Sequence, residues 1–202
     1  MTPNELTTIL AEPLGRQFDI PFRLMLFEQA MTSSAQYIRQ TLERDPRRRQ
    51  ELLSHVVLKT NREGSSLQTI ESIPQAIYAN GRVFDYVGSS DGLHPYTYVS
   101  SFSKVQYLNQ GKFVRPGVKY YTFNNSKIEV FPPVGNPNIR VDTVFTDHQS
   151  VVNLNAKSQN ADYWNTELTV PMDVLNIVIK DLKQQLQIEP RENEPETTSK
   201  DS

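Results

Sequence analysis

Cysteine is absent from all 202 residues, which excludes a disulfide framework, a thiolate metal site and a cysteine nucleophile and fits a reducing compartment. Long apolar runs are missing as well. Val56-Val57-Leu58 is among the longest, far below the roughly 20 residues that span a bilayer. No basic region precedes an apolar run at the N-terminus, where the first basic residue is Arg16, so neither a secretory leader nor a membrane association is expected. Charge of one sign is also in short supply. A net charge of −2 and a pI near 5.9 exclude a globally basic nucleic-acid binder and leave only local phosphate contact.

The motifs of common chemistries are lacking too. The 8 glycines are scattered singly through turns, with no Gly-x-Gly-x-x-Gly and no Gly-x(4)-Gly-Lys-Ser/Thr to cradle phosphate. His55, His94 and His148 lie far apart and form no i, i+4 metal pair. Asp147-His148-Gln149-Ser150 does gather an acid, a base and a hydroxyl. However, neighbours on a strand face opposite ways and there is no Gly-x-Ser-x-Gly elbow, so this stretch reads as a strand-end turn. No Asp/Glu pair stands out for glycoside hydrolysis. The expectation is a protein that is not an enzyme and needs no cofactor.

What is present fits one folded unit. Apolar residues make up 37% and charged residues 22%, an ordinary globular balance, and 13 prolines favour ordered connections over flexible linkers. Thr2-Pro3-Asn4-Glu5 has the pattern of a capping box and predicts a short helix through about Ala11, ended by Pro13 and Gly15. Asp19-Ile20-Pro21 opens a longer helix, in which Leu24, Phe27, Met31, Ala35, Ile38 and Leu42 form an apolar stripe until Asp45-Pro46. From Ser54 the period changes, and strands are predicted at 54–60, 67–71, 75–79, 82–87, 96–100, 103–108, 118–123, 127–131 and 138–146. The segments Lys119–Phe123 and Lys127–Phe131 flank Asn124-Asn125-Ser126 and predict a hairpin, because Asn tolerates positive φ.

Residues 147–168 show no clear period and read as a loop over the core. A last helix begins near Thr169–Asp173, with Leu175, Val178, Ile179, Leu182 and Leu186 on one face. After Pro190 no apolar residue remains, so that acidic stretch reads as a disordered tail. The expected fold class is α+β: an antiparallel β-rich core with a long N-terminal helix and a C-terminal helix. The expected division is a helical segment 1–53, a core domain 54–188 and a tail 189–202. Residues 1–17 and 189–202 are expected to be mobile in a free subunit.

Two surface candidates emerge. Arg44, Arg47, Arg48 and Arg49, with Arg39 one turn earlier, cluster at the C-terminal end of the long helix. They either complement that helix's negative end or form an interface, binding carboxylates or phosphates of a neighbour. Tyr96, Tyr98, Tyr107, Tyr120, Tyr121 and Phe123 either pack across strands or form a platform for sugars or bases.

Several stretches recur in a recognisable order: Phe18-Asp19-Ile20-Pro21-Phe22-Arg23, Tyr86-Val87-Gly88-Ser89-Ser90-Asp91-Gly92, Pro95-Tyr96-Thr97-Tyr98, Lys119 to Asn125, and Val170-Pro171-Met172-Asp173-Val174-Leu175. Over about residues 18 to 188 the chain resembles the structural proteins of crAss-like tailed phages that form rings in the head-to-tail neck. The resemblance implies a virion protein made in the host cytoplasm, a homo-oligomeric ring bound to the portal and to further neck or tail proteins. DNA would pass its channel without sequence-specific binding. The alternative is a β-rich binding module of a tail fibre or host-surface protein, holding glycan through exposed tyrosines such as Tyr96 and Tyr98.

Overall fold

A computed structural model describes residues 1–12, 19–64, 66–78, 81–101, 117–133 and 138–188. Helix α1 (Pro3–Ala11) starts as its sequence dictates. Thr2 Oγ1 accepts from the Glu5 N–H at 3.2 Å, and the Glu5 carboxylate accepts from the Thr2 N–H at 2.9 Å. Helix α2 (Ile20–Arg44) is capped by Asp19, whose carboxylate accepts from the Phe22 N–H at 2.9 Å. Asp45 then turns the chain into a 3-10 segment (Pro46–Leu52) by accepting from the Arg47 N–H at 3.0 Å. Helix α4 (Met172–Ile188) lies antiparallel to α2. Asp173 meets Arg48 at 3.7 Å at one end, and Lys183 meets Glu12 at 3.7 Å towards the other.

These three helices share one core, built from Leu6, Leu10, Leu26, Phe27, Ile38, Val174, Leu175, Val178 and their neighbours. Two expectations change as a result. Residues 1–12 are not loose: Leu6 and Leu10 are fully buried and Met1 O accepts from the Leu168 N–H at 2.9 Å. The helices of segment 1–53 share their core with α4. On α2 the buried stripe includes Leu26, Ala30 and Ser34, while Leu24 faces outward. Residues 13–17 and the tail 189–202 lie outside the described residues.

Among the described residues the sheet has seven strands, β1 (Ser54–Glu63), β2 (Ser66–Thr69), β3 (Tyr86–Ser89), β4 (Thr97–Tyr98), β5 (Tyr120–Asn124), β6 (Lys127–Phe131) and β7 (Asn138–Thr143), in the order β3-β7-β1-β2-β6-β5-β4, all antiparallel neighbours except β4 and β5. Its spine is the ten-residue β1 (Ser54–Glu63). The first part of β1 pairs with β7 (Asn138–Thr143) and the last part with β2 (Ser66–Thr69). The predicted hairpin forms from β5 (Tyr120–Asn124) and β6 (Lys127–Phe131). Its turn is two residues long, Asn125 at φ 49° and Ser126 at φ 60°, the left-handed pair that matches strand twist.

The two ends of the sheet meet. The Tyr96 N–H donates to Val87 O at 2.7 Å on β3 (Tyr86–Ser89), and the chain continues as β4 (Thr97–Tyr98), with the Val99 N–H donating to Tyr121 O at 2.8 Å. The strands therefore curl around a common interior of Val56, Leu58, Val87, Tyr121, Ile128, Val130, Ile139 and Val141. Gly88 sits at this closure, where a Cβ would collide with the Tyr86 hydroxyl and the His94 carbonyl.

Three further predictions differ from the structure. Of the segment expected as strand 75–79, the described residues 75–78 make a single isolated bridge, Ala76 to Phe145, and that expected at 82–87 becomes a strand only from Tyr86. Strand 103–108 lies outside the described residues. The expected loop 147–168 is largely helical, with α3 (His148–Gln159) followed by a short 3-10 turn (Tyr163–Asn165). Helix α3 is one seam between the two cores. Val151 and Leu154 enter the sheet's interior while Val152 enters the helical core.

Candidate interaction surfaces

The arginine cluster is sorted by the geometry of the 3-10 segment. At about three residues per turn, Arg49 and Leu52 share the inward face and both are buried. Arg49 is only 2% exposed, and its guanidinium donates to Asp85 Oδ2 (2.8 Å), Ile77 O (3.1 Å), Val83 O (2.8 Å) and Thr143 Oγ1 (3.4 Å). It is thus a clamp between the helical layer and the chain leading into β3, not a surface residue. Arg48 pairs with Glu51 at 2.8 Å, which raises its pKa further above the ordinary value. Arg39, Arg44 and Arg47 remain as exposed cations.

Asp85 also meets Arg82 at 2.8 Å. One buried carboxylate thus serves two guanidiniums, so the group as a whole keeps a net positive charge, with Arg82 at its outer edge.

The acid, base and hydroxyl of 147–150 are drawn apart by α3. The Asp147 carboxylate caps the helix, accepting from the Ser150 N–H at 3.1 Å. His148 turns inward to 2% exposure, and neither of its ring nitrogens has a hydrogen-bond partner. Burial pushes its pKa down to about 4, against a smaller opposing pull from Asp147. A base so enclosed has no reach to a substrate. Among the described residues no group of three His, Asp or Glu side chains is placed to hold a metal, and no helix is long and apolar enough to cross a membrane.

The tyrosines divide between packing and surface. Tyr96 is 8% exposed with Lys119 Nζ 5.1 Å from its ring centroid, and Tyr120 and Tyr121 are buried, whereas Tyr98 is 58% exposed. Tyr107 lies outside the described residues. Tyr98 packs on Tyr121 with centroids 5.4 Å apart, and Phe84 meets Phe123 edge to face at 4.9 Å. Burial, with the neighbouring Tyr98, raises the Tyr121 hydroxyl to about 12. Together with Tyr78 and Arg82 these rings line a cleft of about 440 Å³.

Two exposed apolar features escaped the sequence reading. At the start of α2, Ile20 (73% exposed), Leu24 and Met25 form an outward patch. At the tip of the loop after β3, Leu93 is 74% exposed. The spacing of Ile20 and Leu24 was visible as i, i+4, but nothing local separates such a patch from a core stripe. No protein-family model matches the chain, and no curated protein matches it either.

Proposed function

We propose that the chain is a virion structural protein that forms a ring in a phage head-to-tail connector, bridging portal and tail components and leaving a channel for DNA. The observation that carries this reading is the asymmetry of α2. Its 25 residues make a rod of roughly 37 Å, with an exposed apolar patch (Ile20, Leu24, Met25) at one end and exposed cations (Arg39, Arg44, Arg47) near the other. Head-to-tail association needs unlike surfaces on one subunit, and such contacts close into a ring when the rotation between copies allows. The near-neutral net charge of −2 suits a channel that DNA must pass without being held.

The test is electron microscopy of the purified chain, alone and mixed with a portal protein, alongside native mass spectrometry. Closed rings, or a stoichiometric complex with portal, are expected. A chain that stays monomeric at high concentration and ignores portal and neck proteins overturns the reading.

A further inference from the structure

The aromatic cleft and the exposed Leu93 have complementary chemistry. The cleft offers apolar ring surface from Tyr78, Phe84, Tyr98 and Phe123, and at its edge Arg82, one of two guanidiniums sharing the Asp85 carboxylate. An occupant that matches it carries an apolar group with a carboxylate close by. The loop after β3 presents that pair, Asp91 and Leu93, both exposed and two residues apart.

The loop is also held in one shape. Asp91 Oδ1 accepts from the Ser89 hydroxyl and from the Leu93 N–H (2.9 Å), and Ser89 Oγ accepts from the His94 N–H at 3.0 Å. Gly92, at φ +78°, completes the turn, its N–H donating to Ser89 O at 2.9 Å. A knob fixed by its own backbone loses little freedom on docking. Leu93 is not among the residues lining its own chain's cleft, so the fit is between copies.

We propose that the Asp91–Leu93 loop of one copy seats in the Tyr78–Arg82–Tyr98 cleft of the next, with Leu93 against the rings and Asp91 facing Arg82. Loop and cleft are different surfaces, so the contact is head-to-tail. This inference deepens the ring reading and rests on it, since it names a subunit contact.

The chain has no cysteine, so introduced thiols report alone. Full-length His94→Cys, beside the loop tip, and Ser100→Cys, two residues beyond Tyr98, both at exposed positions that leave Leu93 and the cleft rings in place, are prepared separately, mixed, and treated with a short bis-maleimide. The expected product is a His94→Cys to Ser100→Cys linked pair, in large excess over either self-linked pair. The double variant is expected to give a ladder of linked oligomers. Adding Arg82→Gln is expected to reduce linking severalfold, and rising salt to reduce it in the unsubstituted pairing, because the charge contact is screened.

Oligomers seen by mass photometry without loop-to-cleft links overturn this contact and leave the ring reading standing. A monomer that never links overturns both. Binding to a glycan array that Tyr98→Ala abolishes, with no copy-to-copy link, reassigns the cleft to a sugar and overturns the proposal.

Discussion

Arg49 and His148 are equally enclosed, at 2% exposure, on two seams that join the helical layer to the curled sheet, but the molecule treats them in opposite ways. Around Arg49 each guanidinium nitrogen is answered: a carboxylate, two carbonyls and a hydroxyl accept from it. Around His148 nothing answers, and both ring nitrogens are left without a hydrogen bond. A guanidinium cannot shed its charge near neutral pH, so its burial requires a complete set of acceptors. An imidazole can lose its proton, and burial here leaves it neutral. The Arg49 seam is therefore held by polar geometry that fixes where the 3-10 segment sits, and the α3 seam by apolar packing that stays intact only while His148 remains uncharged.

The largest way to break this contrast is Asp85→Ala. It leaves Arg49 enclosed with its charge uncompensated, and removing one partner of such a pair costs on the order of 3–5 kcal/mol. Urea unfolding should show a midpoint lowered by that amount, with the slope little changed. Replacing both partners, Arg49→Met with Asp85→Leu, removes the stranded charge. It still leaves Ile77 O without its donor, so a smaller loss of about 1–3 kcal/mol is expected.

Acid is the next largest perturbation, and it acts on the other seam. The folded-state pKa of His148 is depressed to about 4 from an ordinary value of 6.5, so the unfolded chain takes up the proton first. The stability this burial supports is fully present above about pH 6.5 and falls as the pH drops towards about 4. At about 1.4 kcal/mol per pH unit, the full loss is about 3 kcal/mol. Denaturant titrations between pH 7 and pH 4 should show this slope, and His148→Met should remove it while changing stability at pH 7 only modestly. An unchanged slope in that variant would contradict the assignment.

The two seams were not equally legible in the sequence. Arg49 stands beside Arg47 and Arg48 with no local difference, and the acceptors that bury it lie 28 to 94 residues away. Its one clue is Leu52, three residues on, which shares its face in any helical turn and most closely in a 3-10 one. Helix α3 did carry a signal: His148, Val151, Val152, Asn155 and Ala156 repeat at helical spacing, and all are buried. Two polar members disguised that stripe as a loop. Where local chemistry alone decides, the sequence was enough, as at the Thr2 capping box, the Asp19 cap and the β5–β6 hairpin. The cleft could not be foreseen, because it gathers Tyr78, Tyr98 and Phe123 from separate strands and loops.

Asp147 allows the α3 seam to be sharpened by a smaller amount. It caps the helix and is also the group that opposes the fall in the His148 pKa. Asp147→Ala should cost about 1 kcal/mol at pH 7 through the lost cap. It should also shift the acid transition of the folded state to lower pH, as followed by NMR titration of the imidazole. A purely structural cap would give the first effect without the second.

The smallest effect is a gain, at a site remote from both seams. Ser126 holds φ 60° in the second position of the two-residue turn, a conformation with a steric cost for any side chain and none for glycine. Ser126→Gly turns Asn125-Ser126 into the Asn-Gly pair that this turn favours, while the unfolded chain gains freedom that offsets part of the benefit. A net gain of about 0.5–1 kcal/mol is expected in thermal or urea unfolding. Because the turn touches neither Arg49 nor His148, the gain should be the same at pH 7 and pH 5, and it should add to the Asp85→Ala loss without coupling. A gain that varied with pH would mean that the hairpin and the α3 seam do not behave as independent parts of the fold.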